Sequence, residues 1–290
     1  MKTMTVVLLA IMLCVSLAFG DEVDNGLSNM ATVQIRTSTR QMIQSGVDKD
    51  EAIGMTHLML QNRFTEEEVL RAHQVVMNAK RKGLPAEPIM EKVFEGMTKR
   101  VEASNIVQAM EAVQTRYAIA NNYANRITEE RTSREQIQNA IAHCFAAGLR
   151  ERNVQEMIEE LQNRARIETM TTAKLGELAA GTFVAARDMA RLGVSPEVTT
   201  EVLSQAIQHR YNAREIQMMS QSFTTQSRYV APNALAERYT HAIREGQTAE
   251  SLEGSGMEGG SKGQSDSGHG GGGGSGGPGR GGSGGGGGHH

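Results

Sequence analysis

Three stretches of this chain share one layout: a glycine, an arginine 17 residues later, and a branched aliphatic six residues after that. Gly46, Arg63 and Val69 form the first set, Gly83, Arg100 and Ile106 the second, and Gly193, Arg210 and Ile216 the third. The first two glycines stand 37 residues apart, and the third lies 110 residues further on, close to three more periods. A helical hairpin of that length cannot bury its apolar stripe alone and must stack on its neighbours, so the period points to an array of helical pairs. The expected fold is therefore all-α: antiparallel helical hairpins in an α-solenoid-like array, with a period of about 37 residues.

Local signals agree in phase with the repeat. Apolar residues recur every third or fourth position, as in Ile89, Val93 and Met97, or Val198, Val202 and Ala206, while sustained alternation is absent. Asp48 with Glu51, and Ser195 with Pro196, supply helix starts two residues after their glycines. Thr65 with Glu68 and Asn212 with Glu215 do the same two residues after their arginines. Each unit thus reads as glycine stop, capped helix, arginine turn, capped helix.

The middle of the chain is less regular. Tyr117, Ala120, Tyr123 and Ile127 predict one helix continuing past Val113, and Ser133 with Gln136 predicts the start of the next. Gly148 opens a further unit, but Ala165 stands where the arginine is expected and Arg164 is one residue short. Thr171 to Leu192 reads as one long helix, and a last helix stops at Gly246. The pattern predicts ten or eleven helices. The Trp, Leu-Gly and Tyr positions of the 34-residue tetratricopeptide unit are missing.

Both ends differ from this body. Residues 1–20 combine Lys2, an apolar run from Val6 to Ala18, and Ala18-Phe19-Gly20 before Asp21, the layout of a secretory signal peptide cut after Gly20. Residues 21–27 are expected as a short flexible lead, 28–250 as the repeat domain, and 251–290 as a disordered Gly/Ser-rich tail. From Gly254 onward 21 of 37 residues are glycine, leaving nothing to bury.

Removing residues 1–20 moves the formal charge from −3 to −4, a mild value that argues against nucleic acid or a membrane surface as partner. Only Cys144 then remains, so no disulfide joins the chain to itself. No Asn-x-Ser/Thr site occurs, which favours a bacterial envelope over a eukaryotic secretory route.

Candidate chemistry is sparse. Arg63, Arg100 and Arg210 sit where a first helix ends, so each cation meets the negative end of a helix dipole. Aligned along one edge, they would also form a row able to grip carboxylates or phosphates. His143 and Cys144 are adjacent, but neighbouring helical residues diverge by about 100°, and Cys144 falls on the apolar stripe as a buried structural thiol. His73 reads as a core histidine. His57, His209 and His241 show no zinc spacing, and the tail histidines have no fixed geometry, so neither metal nor cofactor is expected. The expectation is an exported scaffold, periplasmic in a bacterium or else extracellular, that binds a protein or peptide partner and catalyses nothing. Two alternatives stand beside it. One is a small-ligand carrier or enzyme with a pocket around Tyr117, Tyr123, His143 and Cys144; the other is a self-associating envelope component.

Overall fold

The computed structural model describes residues 22–254. The signal-peptide reading and nearly all of the expected tail lie outside them. Residues 22–27 form α1, which passes into a 3-10 turn at Ser28–Met30. Twelve α-helices follow: α2 (Val33–Gln44), α3 (Lys49–Gln61), α4 (Glu66–Arg81), α5 (Glu87–Thr98), α6 (Ala103–Asn125), α7 (Arg131–Ala146), α8 (Glu151–Ile167), α9 (Thr172–Arg191), α10 (Pro196–Gln208), α11 (Ala213–Gln226), α12 (Pro232–Arg244) and α13 (Ala249–Gly254). No strand occurs among the described residues.

Seven of the helices (α2, α3, α4, α7, α9, α10 and α11) begin where a side chain satisfies their first amides, whereas α5, α6 and α12 start without a side-chain cap. Thr65 with Glu68 and Asn212 with Glu215 each make the reciprocal capping box expected of them. Ser195 caps α10 with Pro196 at its first position, and Asp48 accepts from the amides of Asp50 and Glu51. One start differs from expectation. Glu130, not Ser133, caps α7: its carboxylate takes the Thr132 and Ser133 amides at 2.9 and 2.6 Å, so the helix begins at Arg131.

The stops share one device. Nine of the eleven turns joining α2 to α13 place a residue at positive φ, and the next residue's N–H donates five residues back. Val47 N–H thus reaches Met42 C=O at 3.2 Å, and Phe64 N–H reaches Met59 C=O at 3.1 Å. The residue after each stop is usually an apolar anchor: Val47, Phe64, Leu84, Leu149, Val194 and Tyr211 are all buried. Glycine holds five of these positions, the three repeated arginines hold three, and Thr169, at φ 49°, holds the ninth.

Thr169 explains the missing arginine. It lies 21 residues after Gly148 instead of 17, because α8 is 17 residues long where α3, α5 and α10 have 12 or 13. One added helical turn moves the stop and preserves the buried face.

The principal helix contacts join elements one or two apart in chain order. They define two layers, an even row (α2, α4, α6, then α8, α10, α12) and an odd row (α3, α5, then α7, α9, α11, α13), each interrupted at the middle, where close α5–α7 and α6–α8 packing is missing. At the middle of the array the long α6 packs closely on both α5 and α7. There Tyr123 Oη donates to Glu151 at 3.0 Å, and Gln162 Nε2 donates to Arg126 C=O at 3.1 Å, linking α6 to α8.

Because every turn reverses the chain, turns after even helices gather at one end of the layers and turns after odd helices at the other. Gly83 ends an even helix and Gly193 an odd one, so the 110 residues between them hold five helices, two and a half hairpins in place of three. Longer helices fill the distance: α6 has 23 residues and α9 has 20.

Residues 22–27 are no flexible lead. Val23 and Leu27 are fully buried, Lys49 pairs with Glu22 at 2.7 Å, and Arg40 pairs with Asp24 at 2.7 Å. At the other end the helical structure extends past 250, closing with α13 against α11.

Candidate functional site

The repeated arginines are the residues that close their helices. Arg63, Arg100 and Arg210 have φ of 60°, 55° and 64°, and all three side chains are exposed. Left-handed backbone brings Cβ against the following carbonyl, so a non-glycine residue there is disfavoured by about 1–2 kcal/mol. The three do not form one row. Arg63 and Arg100 follow odd helices, whereas Arg210 follows the even helix α10 and lies at the opposite end of the layers.

Their surroundings differ too. Arg210 Nε lies 3.5 Å from Glu168, a carboxylate that also accepts from Arg164 Nε at 3.3 Å. Arg164 itself is nearly buried and donates to the carbonyls of Tyr211 at 2.6 Å and Arg210 at 3.0 Å, satisfying the end of α10 from the neighbouring helix. Arg63 and Arg100 have no side-chain hydrogen bond or ion pair among the described residues.

The buried thiol and histidine are structural. Cys144 is fully buried and its Sγ donates to Phe183 C=O at 3.1 Å. Burial pushes its pKa up to about 12, so the nucleophilic thiolate is not formed near neutral pH. His73 is fully buried too, with Nε2 2.9 Å from Thr56 Oγ1 and Nδ1 3.0 Å from Ser38 Oγ. Burial lowers its pKa to about 4, so it is neutral and one ring nitrogen donates while the other accepts.

Tyr117, Tyr123, His143 and Cys144 do not converge. Tyr117 and Cys144 are core residues, Tyr123 is tied to Glu151, and His143 alone opens onto a surface depression. Among the described residues no three His, Cys, Asp or Glu side chains group as metal ligands, and no helix is long and apolar enough to cross a membrane.

That depression is a broad concave feature of the described residues. It is a trough of about 700 Å³ across the outer face of the odd row, formed by α7, α9 and α11. Each helix contributes residues spaced three and four apart: Gln136, Asn139 and His143 from α7, Gly181, Val184 and Asp188 from α9, and Gln217 and Gln221 from α11. Ala140, Ala180, Ala185 and Ala213 line it beside Gly181, keeping it free of bulky side chains. His143 is half-buried there, and its pKa is lowered first by burial and then by the charges of Arg191 and Arg187. Arg187 in turn holds Asp188 at 2.7 Å. A second cavity of about 470 Å³ adjoins it, sharing Glu177, Ala213 and Arg214, and runs to the turn at Thr169.

Neither the amides nor Gly181 stands out in the sequence, since each helix separately shows an ordinary polar face. The available signal is the run Ala180, Gly181, Val184 on α9, whose small residues stay together on a face that ought to be solvated. Comparison with protein-family models, with curated proteins and with solved structures finds no match for this chain.

Proposed function

We propose that this protein is an exported helical-repeat scaffold that binds a protein or peptide partner in a bacterial envelope, most simply the periplasm, and performs no catalysis of its own. Export rests on the pattern of residues 1–20: a basic start, an apolar run and a small-residue cleavage site. Binding rests above all on the trough across α7, α9 and α11. Stacked helical pairs offer matching positions of successive helices as one continuous surface, and such surfaces suit chain-like partners. The groups that would make a covalent or acid–base centre are elsewhere engaged: Cys144 with a backbone carbonyl, His73 with two hydroxyls.

The test is photocrosslinking in living cells with probes at Asn139, Val184 and Gln217 in the trough, and at Glu156 on α8 as a control. Capture of one and the same protein from all three trough positions, and not from the control, is the expected result. Capture of a second copy of this chain would instead make it a self-associating component. Absence of any protein adduct from the trough would leave a small-ligand carrier as the better reading.

A further inference from the structure

We propose that the trough binds an extended, uncharged stretch of polypeptide chiefly through its main chain; this rests on the scaffold reading above and narrows its partner. Gln136, Asn139, Gln217 and Gln221 line the trough, are exposed, and make no side-chain hydrogen bond among the described residues. A carboxamide presents one acceptor oxygen and two donor hydrogens, the same pairing a peptide group needs. Two such groups on α7 face two on α11, so an extended chain laid across α9 can hydrogen-bond on both sides.

The dimensions agree. Neighbouring helix axes lie about 10 Å apart, so the outer axes of three helices are about 20 Å apart, the length of roughly six extended residues.

Charge selects against acidic or basic ligands. The trough carries two carboxylates, Glu177 and Asp188, and two guanidiniums, Arg187 and Arg214, with Arg187 and Asp188 already paired. A charged segment would find as much repulsion as attraction, while a neutral one loses nothing. No Phe, Tyr or Trp lines the trough, so a sugar ring would find no aromatic face to stack on. Val184, more than a third exposed, stands among the alanines as the largest apolar contact for a small side chain.

Gly181 strengthens the case. A Cβ there would meet Ala213 C=O at 3.6 Å, an ordinary contact, so packing between α9 and α11 does not require glycine. Glycine inside a helix is destabilising relative to alanine, and here it keeps the trough lining one methyl group lower beside Ala213, where a longer side chain would have to rise into the trough.

The experiment presents full-length protein to an array of capped octapeptides. One set is built from Gly, Ala, Ser, Thr, Asn and Gln; two matched sets carry Glu or Lys at alternate positions. The uncharged set should be retained. The best member, followed by fluorescence anisotropy, should lose about tenfold or more in affinity when alternate peptide nitrogens are methylated. Asn139→Ala and Gln217→Ala should each weaken it by about fivefold, the scale of one lost hydrogen bond. Gly181→Leu and, independently, Val184→Arg should abolish it at unchanged helicity, while Gly54→Ala on α3 should not alter it. Equal binding of the methylated peptide, preference for a charged set, or displacement by maltoheptaose would overturn the proposal. Retention of no peptide would also overturn it, yet the scaffold reading survives if Asn139 and Gln217 still crosslink a protein in cells; loss of both ends the two together.

Discussion

Protonation of His73 should carry much of this protein's sensitivity to mild acid. The ring sits fully buried where α2, α3 and α4 meet, held by Ser38 and Thr56. Its pKa falls from 6.5 to about 4, and the whole cause is burial, which penalises the charged ring. Between those values the unfolded chain binds a proton that the folded chain refuses, so stability declines as pH falls. The contribution is complete above pH 6.5, fades through the interval, and is gone once pH drops below about 4. Two and a half pH units at 1.36 kcal/mol each give about 3 kcal/mol, a large share of a typical domain's stability. The assay is urea unfolding from pH 4 to 8 on the native chain and on His73→Gln, which keeps a hydrogen-bonding side chain and cannot titrate. Both retain His143, so its titration cancels in the difference. The native protein should lose about 3 kcal/mol more than the variant between pH 7.5 and 4. Parallel pH profiles, or a His73 resonance titrating near 6.5, would refute the reasoning.

Four further outcomes follow from the packing and the turns. Gly96→Ala would put Cβ 2.4 Å from Ile106 Cγ1 where α5 meets α6, and should cost about 1–3 kcal/mol in urea unfolding. Gly54→Ala meets nothing within 4 Å and should instead stabilise by about 0.5–1 kcal/mol. Arg63→Gly and Arg100→Gly remove side chains from left-handed backbone and should each raise stability by up to about 1 kcal/mol, with Lys at either site neutral; a loss on going to glycine would reveal a stabilising role for the guanidinium. Cys144 should react with a thiol probe at pH 8 only as fast as the protein opens, so rapid stoichiometric labelling of the native chain would contradict its buried, carbonyl-bonded state.

What could be read in the sequence follows from which interactions are local. Thr65 with Glu68 and Asn212 with Glu215 act within one turn, and their caps stand where the residues announce them. Length is harder to read, because a helix can gain a whole turn without rotating its buried face. That is why α8 hid its stop at Thr169, although Thr171 follows it at the same two-residue interval as Thr65 follows Arg63. Glu130 won the start of α7 because its carboxylate reaches two amides where a hydroxyl serves one. The trough was illegible for a different reason: residues 136–143, 177–188 and 213–221 come together only through packing of α7, α9 and α11.

The broken row of arginines carries the same lesson further. A helix stop needs one residue in left-handed backbone and an apolar anchor after it, and the need is identical at either end of the layers. The repeat therefore encodes a way of ending helices and says nothing about which end a residue will occupy. Arg63 and Arg100 share an end because α3 and α5 are both odd; Arg210 changed ends because an odd number of helices separates Gly83 from Gly193. A binding surface made from the repeated arginines would have required an even number. The trough has no such requirement, since it depends on side-by-side packing within one row. The 20-residue α9, longer than most of its neighbours, runs the full distance from the turn at Thr169 past Asp188 and so serves both adjoining cavities. Departure from regular helix length, which upset the period, thus also lets one helix line both concave surfaces of the odd row.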